Sequence, residues 1–236
     1  MDLSVVIPVY NEEDNLRPLW QELREVLEGT GCTYEVIFVD DGSTDRSFSI
    51  LRELAQGDPH IRVLKFRKNC GQTAAFDAGF RAAKGEVVIT MDADLQNDPR
   101  DIPRLLEKIG EYDLVCGWRH RRQDPWLKRV SSRIANFVRN KVSGDYIRDT
   151  GCSLKAFRRE CVERLKLFEG MHRFFPTLAR MEGFRVGEIK VNHRPRLFGR
   201  TKYNIRNRAL RAFLDLLAVR WMKKRHLDYE VEEVLQ

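Results

Sequence analysis

The chain has 236 residues, 42% of them apolar and 33% charged, with a formal net charge of +7. That length can bury one full core, and no run of about 18 apolar residues occurs that would span a bilayer. The five cysteines (Cys32, Cys70, Cys116, Cys152 and Cys161) are scattered and lack CxxC spacing, which argues against zinc and disulfide frameworks and for a reducing cytoplasm.

Met1-Asp2-Leu3-Ser4 leads straight into a strand pattern, so no signal peptide is expected. Strands are predicted over residues 3–9, 34–39, 61–66, 86–91 and 114–117. Apolar stripes at helical spacing separate them: Leu16, Leu19, Trp20, Leu23, Val26 and Leu27; then Phe48, Leu51 and Leu54; then Phe76, Phe80 and Ala83; then Ile102, Leu105, Leu106 and Ile109. This alternation is the signature of a parallel α/β sheet.

The strand ends are polar. The first ends in Pro8-Val9-Tyr10-Asn11-Glu12 and the second in Asp40-Asp41-Gly42-Ser43-Thr44-Asp45. Asn11, Ser43 and Asp45 are ordinary helix-capping types, and capping is the simpler role for each. Asp40 and Asp41, still at the strand end, are read as ligand contacts, since a carboxylate there can accept from a base or ribose. Small residues open the next helix at Asn69-Cys70-Gly71-Gln72-Thr73-Ala74, which suits close approach of a ligand and simple helix packing alike. The fourth strand ends in Met91-Asp92-Ala93-Asp94-Leu95-Gln96. Two carboxylates and an amide are oxygen ligands of the kind that Mg²⁺ or Mn²⁺ selects. Neither GxGxxG nor GxxxxGK[ST] is present, so dinucleotide and P-loop readings lack their phosphate cradle.

The second half is less regular. A basic amphipathic helix is predicted after Pro125 on Leu127, Val130, Ile134, Phe137 and Val138. Helices are predicted over 157–168 and 172–181, and a strand over 184–191. A last helix, over 204–225, carries Leu210, Phe213, Leu214, Leu217 and Trp221 between basic flanks, and the final ten residues form an acidic tail. That helix admits two readings, one lying in an anionic membrane interface and one docked on protein.

Charge is unevenly spread. Residues 1–117 carry a net −9, residues 118–148 carry nine basic and two acidic side chains, and residues 194–226 carry eleven and one. Such localisation points to a polyanionic partner.

The three acidic strand ends, in this order and spacing, resemble a family 2 glycosyltransferase of the GT-A fold. In the second half, Arg148-Asp149-Thr150-Gly151-Cys152 and Phe198-Gly199-Arg200-Thr201-Lys202-Tyr203 resemble the branch with dolichol-phosphate mannosyltransferases and bacterial undecaprenyl-phosphate glycosyltransferases. The resemblance implies an α/β fold with a mainly parallel sheet flanked by helices and a C-terminal amphipathic helix. The catalytic domain would cover 1–203, with residues 1–117 binding the nucleotide sugar and residues 118–203 the acceptor. The helix at 204–226 and a tail at 227–236 would follow it. The resemblance also implies that Pro8, Tyr10, Glu12, Asp40, Asp41, Gly71 and Asp92 bind the nucleotide sugar. Asp92, Asp94 and Gln96 would hold Mg²⁺ or Mn²⁺. Arg119, Arg133, Arg200 and Lys202 would gather the acceptor phosphate, with Asp94, Asp149, Arg119 and Lys202 as the catalytic group. Thr201 stands where the family often has Ser.

The reaction so implied moves a sugar, mannose or glucose, from a nucleoside diphosphate to dolichyl or undecaprenyl phosphate with inversion. Transmembrane helices that many relatives carry after the catalytic domain are not seen in this sequence, which implies a peripheral enzyme on the cytoplasmic membrane face, with room for a separate membrane protein as partner. Asp149 admits three roles: positioning the acceptor or metal, acting as base for a hydroxyl acceptor, or fixing the turn at Thr150-Gly151. Two other functions compete. One is a family 2 transferase with a hydroxyl acceptor. The other, raised by a pI near 9.3, is a non-catalytic nucleic-acid-binding protein, although RRM, KH and zinc-finger signatures are lacking and no nucleic-acid partner is expected.

Overall fold

Side-chain alternation in the first strand sets the layering. β1 (Leu3–Val9) sends Val5, Ile7 and Val9 into one apolar cluster and Val6 into another. β2 (Tyr34–Asp40) repeats the division, with Val36 and Phe38 on one face and Ile37 and Val39 on the other. A strand apolar on both faces belongs inside a sheet covered twice, and helices cover both sides here. The computed structural model describes residues 1–119, 147–195, 205–227 and 232–233, over 205–213 the backbone alone.

α1 (Leu16–Gly29) buries Leu16, Leu19, Trp20, Leu23 and Leu27 against the first face. α2 (Ser47–Gly57) and α4 (Ile102–Lys108) join it through Leu51 and through Ile102 and Leu105. α3 (Gln72–Ala82) covers the second face with Ala75, Phe76 and Phe80. Among the described residues the sheet has seven strands in the order β3-β2-β1-β4-β6-β5-β7. The others are β3 (Ile61–Lys65), β4 (Val87–Thr90), β5 (Leu114–Arg119), β6 (Lys155–Arg158) and β7 (Val186–Val191). Parallel pairs join β1 to β2 and β4, β2 to β3, and β5 to β7. Among these strands only β6 runs against its neighbours, β4 and β5.

The expected helix over 157–168 needs correction. Its first residues finish β6, and α5 covers only Arg159–Arg164. Ala156 and Phe157 are buried on opposite faces between two strands, and a doubly buried strand has no alternation to reveal it. The expected helix over 172–181 is a 3₁₀ turn (Met171–Phe174) running into α6 (Phe175–Met181).

The last helix, α7 (Ile205–Lys224), forms where the sequence placed it, but the described members of the expected stripe are not the side chains that dock. Leu216 and Val219 are buried in the second cluster, with Met222 packed against it. Leu214, Leu217 and Trp221 are exposed by 55%, 42% and 64%. The helix therefore carries apolar residues on two faces, and only one docks. The helix predicted after Pro125, Arg133, Arg200, Thr201 and Lys202 lie outside the described residues, as does most of the acidic tail.

Candidate functional site

The carboxyl ends of β1, β2 and β4 open into one cleft of about 380 Å³. Strand ends are where open α/β sheets gather ligands, because the following helices diverge there. Pro8, Tyr10 and Glu12 line it from β1, Asp41 from β2, Gly71 from the start of α3, and Asp92, Asp94 and Gln96 from β4. Eight of the sequence-predicted residues thus meet on one surface.

Asp41 is buried and accepts from the main-chain N–H groups of Cys70 (2.6 Å) and Gly71 (2.9 Å). Burial pushes its carboxyl up, outweighing those two bonds. Gly42 is the reason the loop can come so close. Its φ is +71°, and an added Cβ would lie 2.5 Å from the Lys68 carbonyl carbon, closer than packing allows. Asp40 does not line the cleft. It is fully buried, and its Oδ1 accepts from the Ser43 N–H at 3.3 Å.

Asn11, Ser43 and Asp45 are structural, but the expected capping role needs correction, because Asn15 and Arg46 hold the N-cap positions of α1 and α2. Ser43 Oγ accepts from the Asn11 N–H (3.0 Å), Asn11 Oδ1 from the Thr44 N–H (2.7 Å), and Asp45 from the N–H groups of Glu13 (3.3 Å) and Ser47 (2.8 Å). These bonds tie the first two strand ends together.

At the third strand end, Asp92 accepts from the Gln72 side-chain amide at 2.8 Å. Its N–H donates to Asn97 Oδ1 (3.1 Å), which also accepts from the Ser153 hydroxyl (2.8 Å). Asp94 Oδ1 accepts from the Gln96 N–H at 3.2 Å. Between them Leu95 takes φ +60° with its side chain buried in the core, a conformation a non-glycine holds only where packing enforces it. The segment after β7 secures the same loop. The Arg194 N–H donates to the Gln96 carbonyl (2.9 Å), and its guanidinium reaches Asp98 (2.8 Å) and Glu22 (2.6 Å).

Burial first, and Asp94 second, push the Asp92 carboxyl up to about 6. Two acids crowded in this way gain most from a cation that neutralises both. Among the described residues no cluster of three or more His, Cys, Asp or Glu side chains is placed to hold a metal alone. Two carboxylates and an amide oxygen nonetheless fit Mg²⁺ or Mn²⁺, whose remaining ligands are commonly water and phosphate.

Arg119 and Asp149 come together, but one layer behind the cleft wall. Asp149 Oδ2 accepts from Arg119 Nε at 2.7 Å and Oδ1 from Nη2 at 2.8 Å. They brace the turn at Thr150, Gly151 and Cys152, which does face the cleft. Several residues here escaped the sequence reading: Gln72, Asn97, Ser153, Lys155, His172, Arg173 and Arg194. Of these, only Lys155 left a signal, a lone charge in the apolar run Leu154-Lys155-Ala156-Phe157. His172 and Arg173 also line the cleft, and His172 Nδ1 is 2.6 Å from the Thr73 hydroxyl.

Comparison with known proteins agrees with this geometry. The family model described as glycosyl transferase family 2 matches residues 4–166. The chain is 38% identical over 225 residues to a dodecaprenyl-phosphate galacturonate synthase of Rhizobium johnstonii, covering 93% of this chain and 66% of that protein. It is 43% identical over 206 residues to an undecaprenyl-phosphate 4-deoxy-4-formamido-L-arabinose transferase of Edwardsiella ictaluri, covering 86% and 63%. The chain therefore spans just under two thirds of the length of these relatives. Among solved structures, glucosyl-3-phosphoglycerate synthase from Mycobacterium tuberculosis with Mn²⁺, uridine diphosphate and phosphoglyceric acid superposes with a TM-score of 0.71 at 19% identity, covering 96% of this chain and 80% of that one. A mannosyltransferase from Pyrobaculum calidifontis with GDP-Man and Mn²⁺ superposes with a TM-score of 0.63 at 20% identity, covering 96% and 65%. At such identities the likeness is one of fold, and the fold is GT-A.

Proposed function

The chain belongs to glycosyl transferase family 2, and from that premise we propose that it transfers a sugar from a nucleoside diphosphate to a polyprenyl phosphate. The observation that carries this reading is one cleft lined both by Asp41, Asp92, Asp94 and Gln96 and by Lys155, His172 and Arg173. The first set suits a nucleotide and a cation, and the second suits anions. The two relatives at 38% and 43% identity bear polyprenyl-phosphate names, which supports the acceptor class.

Pro8, Tyr10, Glu12 and Asp41 would bind the nucleoside, and Gln72 and Asn97 would orient Asp92. Mg²⁺ or Mn²⁺ held by Asp92, Asp94 and Gln96 would supply Lewis acidity to the departing diphosphate. The acceptor needs little help from a base, because a phosphomonoester with a second pKa of about 6 is already anionic near neutrality. Asp149 fits that economy. Both of its oxygens serve Arg119, so its place in the fold favours a phosphate acceptor over a hydroxyl needing deprotonation. Arg133, Arg200 and Lys202, by resemblance, would neutralise that phosphate, and Arg119, paired with Asp149 behind the cleft wall, would hold the Thr150–Cys152 turn in place. Direct displacement at the anomeric carbon gives inversion.

Access to a lipid acceptor would come through α7. Among the described residues no helix is long and apolar enough to cross a membrane. Its exposed Leu214, Leu217 and Trp221 stand among exposed Arg220, Lys223, Lys224 and Arg225, the composition of a helix lying in an anionic interface.

The test is a panel of sugar nucleotides with undecaprenyl or dodecaprenyl phosphate and Mn²⁺. Mannose and glucose donors, expected from the resemblance, run beside uronic and amino-sugar donors. Glycosylated polyprenyl phosphate is the expected product. Transfer to hydroxyl acceptors alone would overturn the proposal.

A further inference from the structure

Lys155 is a deeply buried cation bordering the cleft. It opens β6, paired with Thr90 on one side and Cys116 on the other, and is 2% exposed. Its Nζ donates to the Cys152 carbonyl, and no carboxylate oxygen of the described residues lies within 4.0 Å of it. An ammonium has three N–H donors, and the described residues satisfy one. A buried charge without a counter-ion is unfavourable unless an anion completes its shell.

The surrounding charges show where that anion belongs. The Arg119 guanidinium, near the same turn, is matched by both oxygens of Asp149. The Lys155 charge also acts on Asp92, without an ion pair between the two. Among the described residues, Lys155 is thus a cation at this end of the cleft without a carboxylate partner.

We infer that Lys155 is a catalytic residue that donates to a phosphate oxygen in the cleft. This rests on the transferase reading above. The phosphate is either the diphosphate leaving with the nucleotide or the phosphate of the acceptor, both presenting the same anionic oxygens. A plain structural role, holding the Cys152 turn or offsetting Asp92, predicts no change in phosphate affinity beyond what misfolding causes.

Calorimetry on the full chain separates these. UDP and GDP, each with Mn²⁺, and farnesyl phosphate are titrated into wild type, Lys155→Gln and Lys155→Arg, with the matching nucleoside as control. Loss of one charged hydrogen bond is expected to weaken one of the phosphate ligands by about ten- to a hundredfold. Lys155→Arg restores it, and nucleoside affinity and thermal midpoint stay put. A nucleoside-diphosphate effect assigns Lys155 to the leaving group, and a farnesyl-phosphate effect assigns it to the acceptor. Unchanged affinity for all three ligands overturns the inference, as does equal loss for nucleoside and diphosphate. Should Lys155→Gln not fold, the ¹⁵Nζ resonance of Lys155 in the wild-type chain is followed instead. It shifts on titration if the contact forms, and an unmoved signal overturns the inference. None of these readings needs turnover, so failure of the transferase proposal would show separately, as absent product.

Discussion

Asp149 and Arg119 meet in a bidentate pair, Oδ2 to Nε at 2.7 Å and Oδ1 to Nη2 at 2.8 Å, and the Arg119 main-chain N–H adds a third bond to Oδ2 at 3.3 Å. Both side chains are largely buried, so removing one partner strands the other's charge. Asp149→Asn is expected to lower stability by about 3 kcal/mol. Transfer should slow while the pH–rate profile keeps its shape, because the carboxylate orients a guanidinium and takes no proton. Urea unfolding and kcat across pH check this. A lost acidic limb in the profile would reinstate Asp149 as a base.

The metal loop gives a second expectation. Asp94→Ala should abolish Mn²⁺ binding, read by electron paramagnetic resonance with UDP present, and stop transfer, while the circular dichroism spectrum stays native. Persisting stoichiometric Mn²⁺ binding would remove Asp94 from the ligand set.

Acidification should act through Asp92. Its folded pKa, about 6, lies above the ordinary 3.8, raised by burial and then by Asp94. A proton must leave before a cation binds, so Mn²⁺ affinity should fall up to about tenfold per pH unit below that value. The stability sign is opposite. Without metal, the folded chain binds the extra proton between the two values, so this group destabilises the fold as pH rises through about 6. Wild type measured without metal should therefore lose stability relative to Asp92→Asn between about pH 4 and pH 6. Parallel curves for the two proteins would contradict the raised pKa.

At the second strand end, Gly42→Ala should destabilise by about 1–3 kcal/mol, since it forces a side chain into a left-handed conformation against the Lys68 backbone. The loop that donates to Asp41 must also retreat, so nucleotide affinity should drop with stability. Thermal melts with and without UDP or GDP measure both, and wild-type behaviour would mean that the loop moves freely.

The two faces of α7 should separate cleanly. Changing Leu214, Leu217 and Trp221 together to Ser should weaken binding to anionic vesicles severalfold with little change in thermal midpoint, because these residues are exposed. Leu216→Ala should instead cost about 2 kcal/mol or more of stability. Equal vesicle binding by the triple variant and wild type would point to a protein partner for that face.

The strand ends were legible because each motif is contiguous: a buried apolar run stopping at a carboxylate is visible without neighbours. Five strands, with Asp41, Asp92, Asp94 and Gln96 at their ends, followed from that pattern, whereas Pro8, Tyr10 and Glu12, which line the same cleft, were implied by the family resemblance. β6 was not legible, since buried pairing on both sides erases alternation, and Lys155 showed only as a lone charge in its apolar run. The roles of Gln72, His172 and Arg194 depend on contacts about 20 to 99 residues apart in sequence. On α7 the periodicity revealed apolar residues but could not say which of two faces the domain would cover.

β6 also works as a ruler. Its register sets Lys155 opposite Thr90, two residues before Asp92, and opposite Cys116, three residues before Arg119. A shift of one residue would turn Lys155 to the other side of the sheet and carry the Cys152 turn away from Asp92. Donor and acceptor machinery thus share one gauge. Any attempt to graft a new acceptor specificity onto this scaffold is free to vary the loops, but it must keep the chain length between Asp149 and Lys155 unchanged.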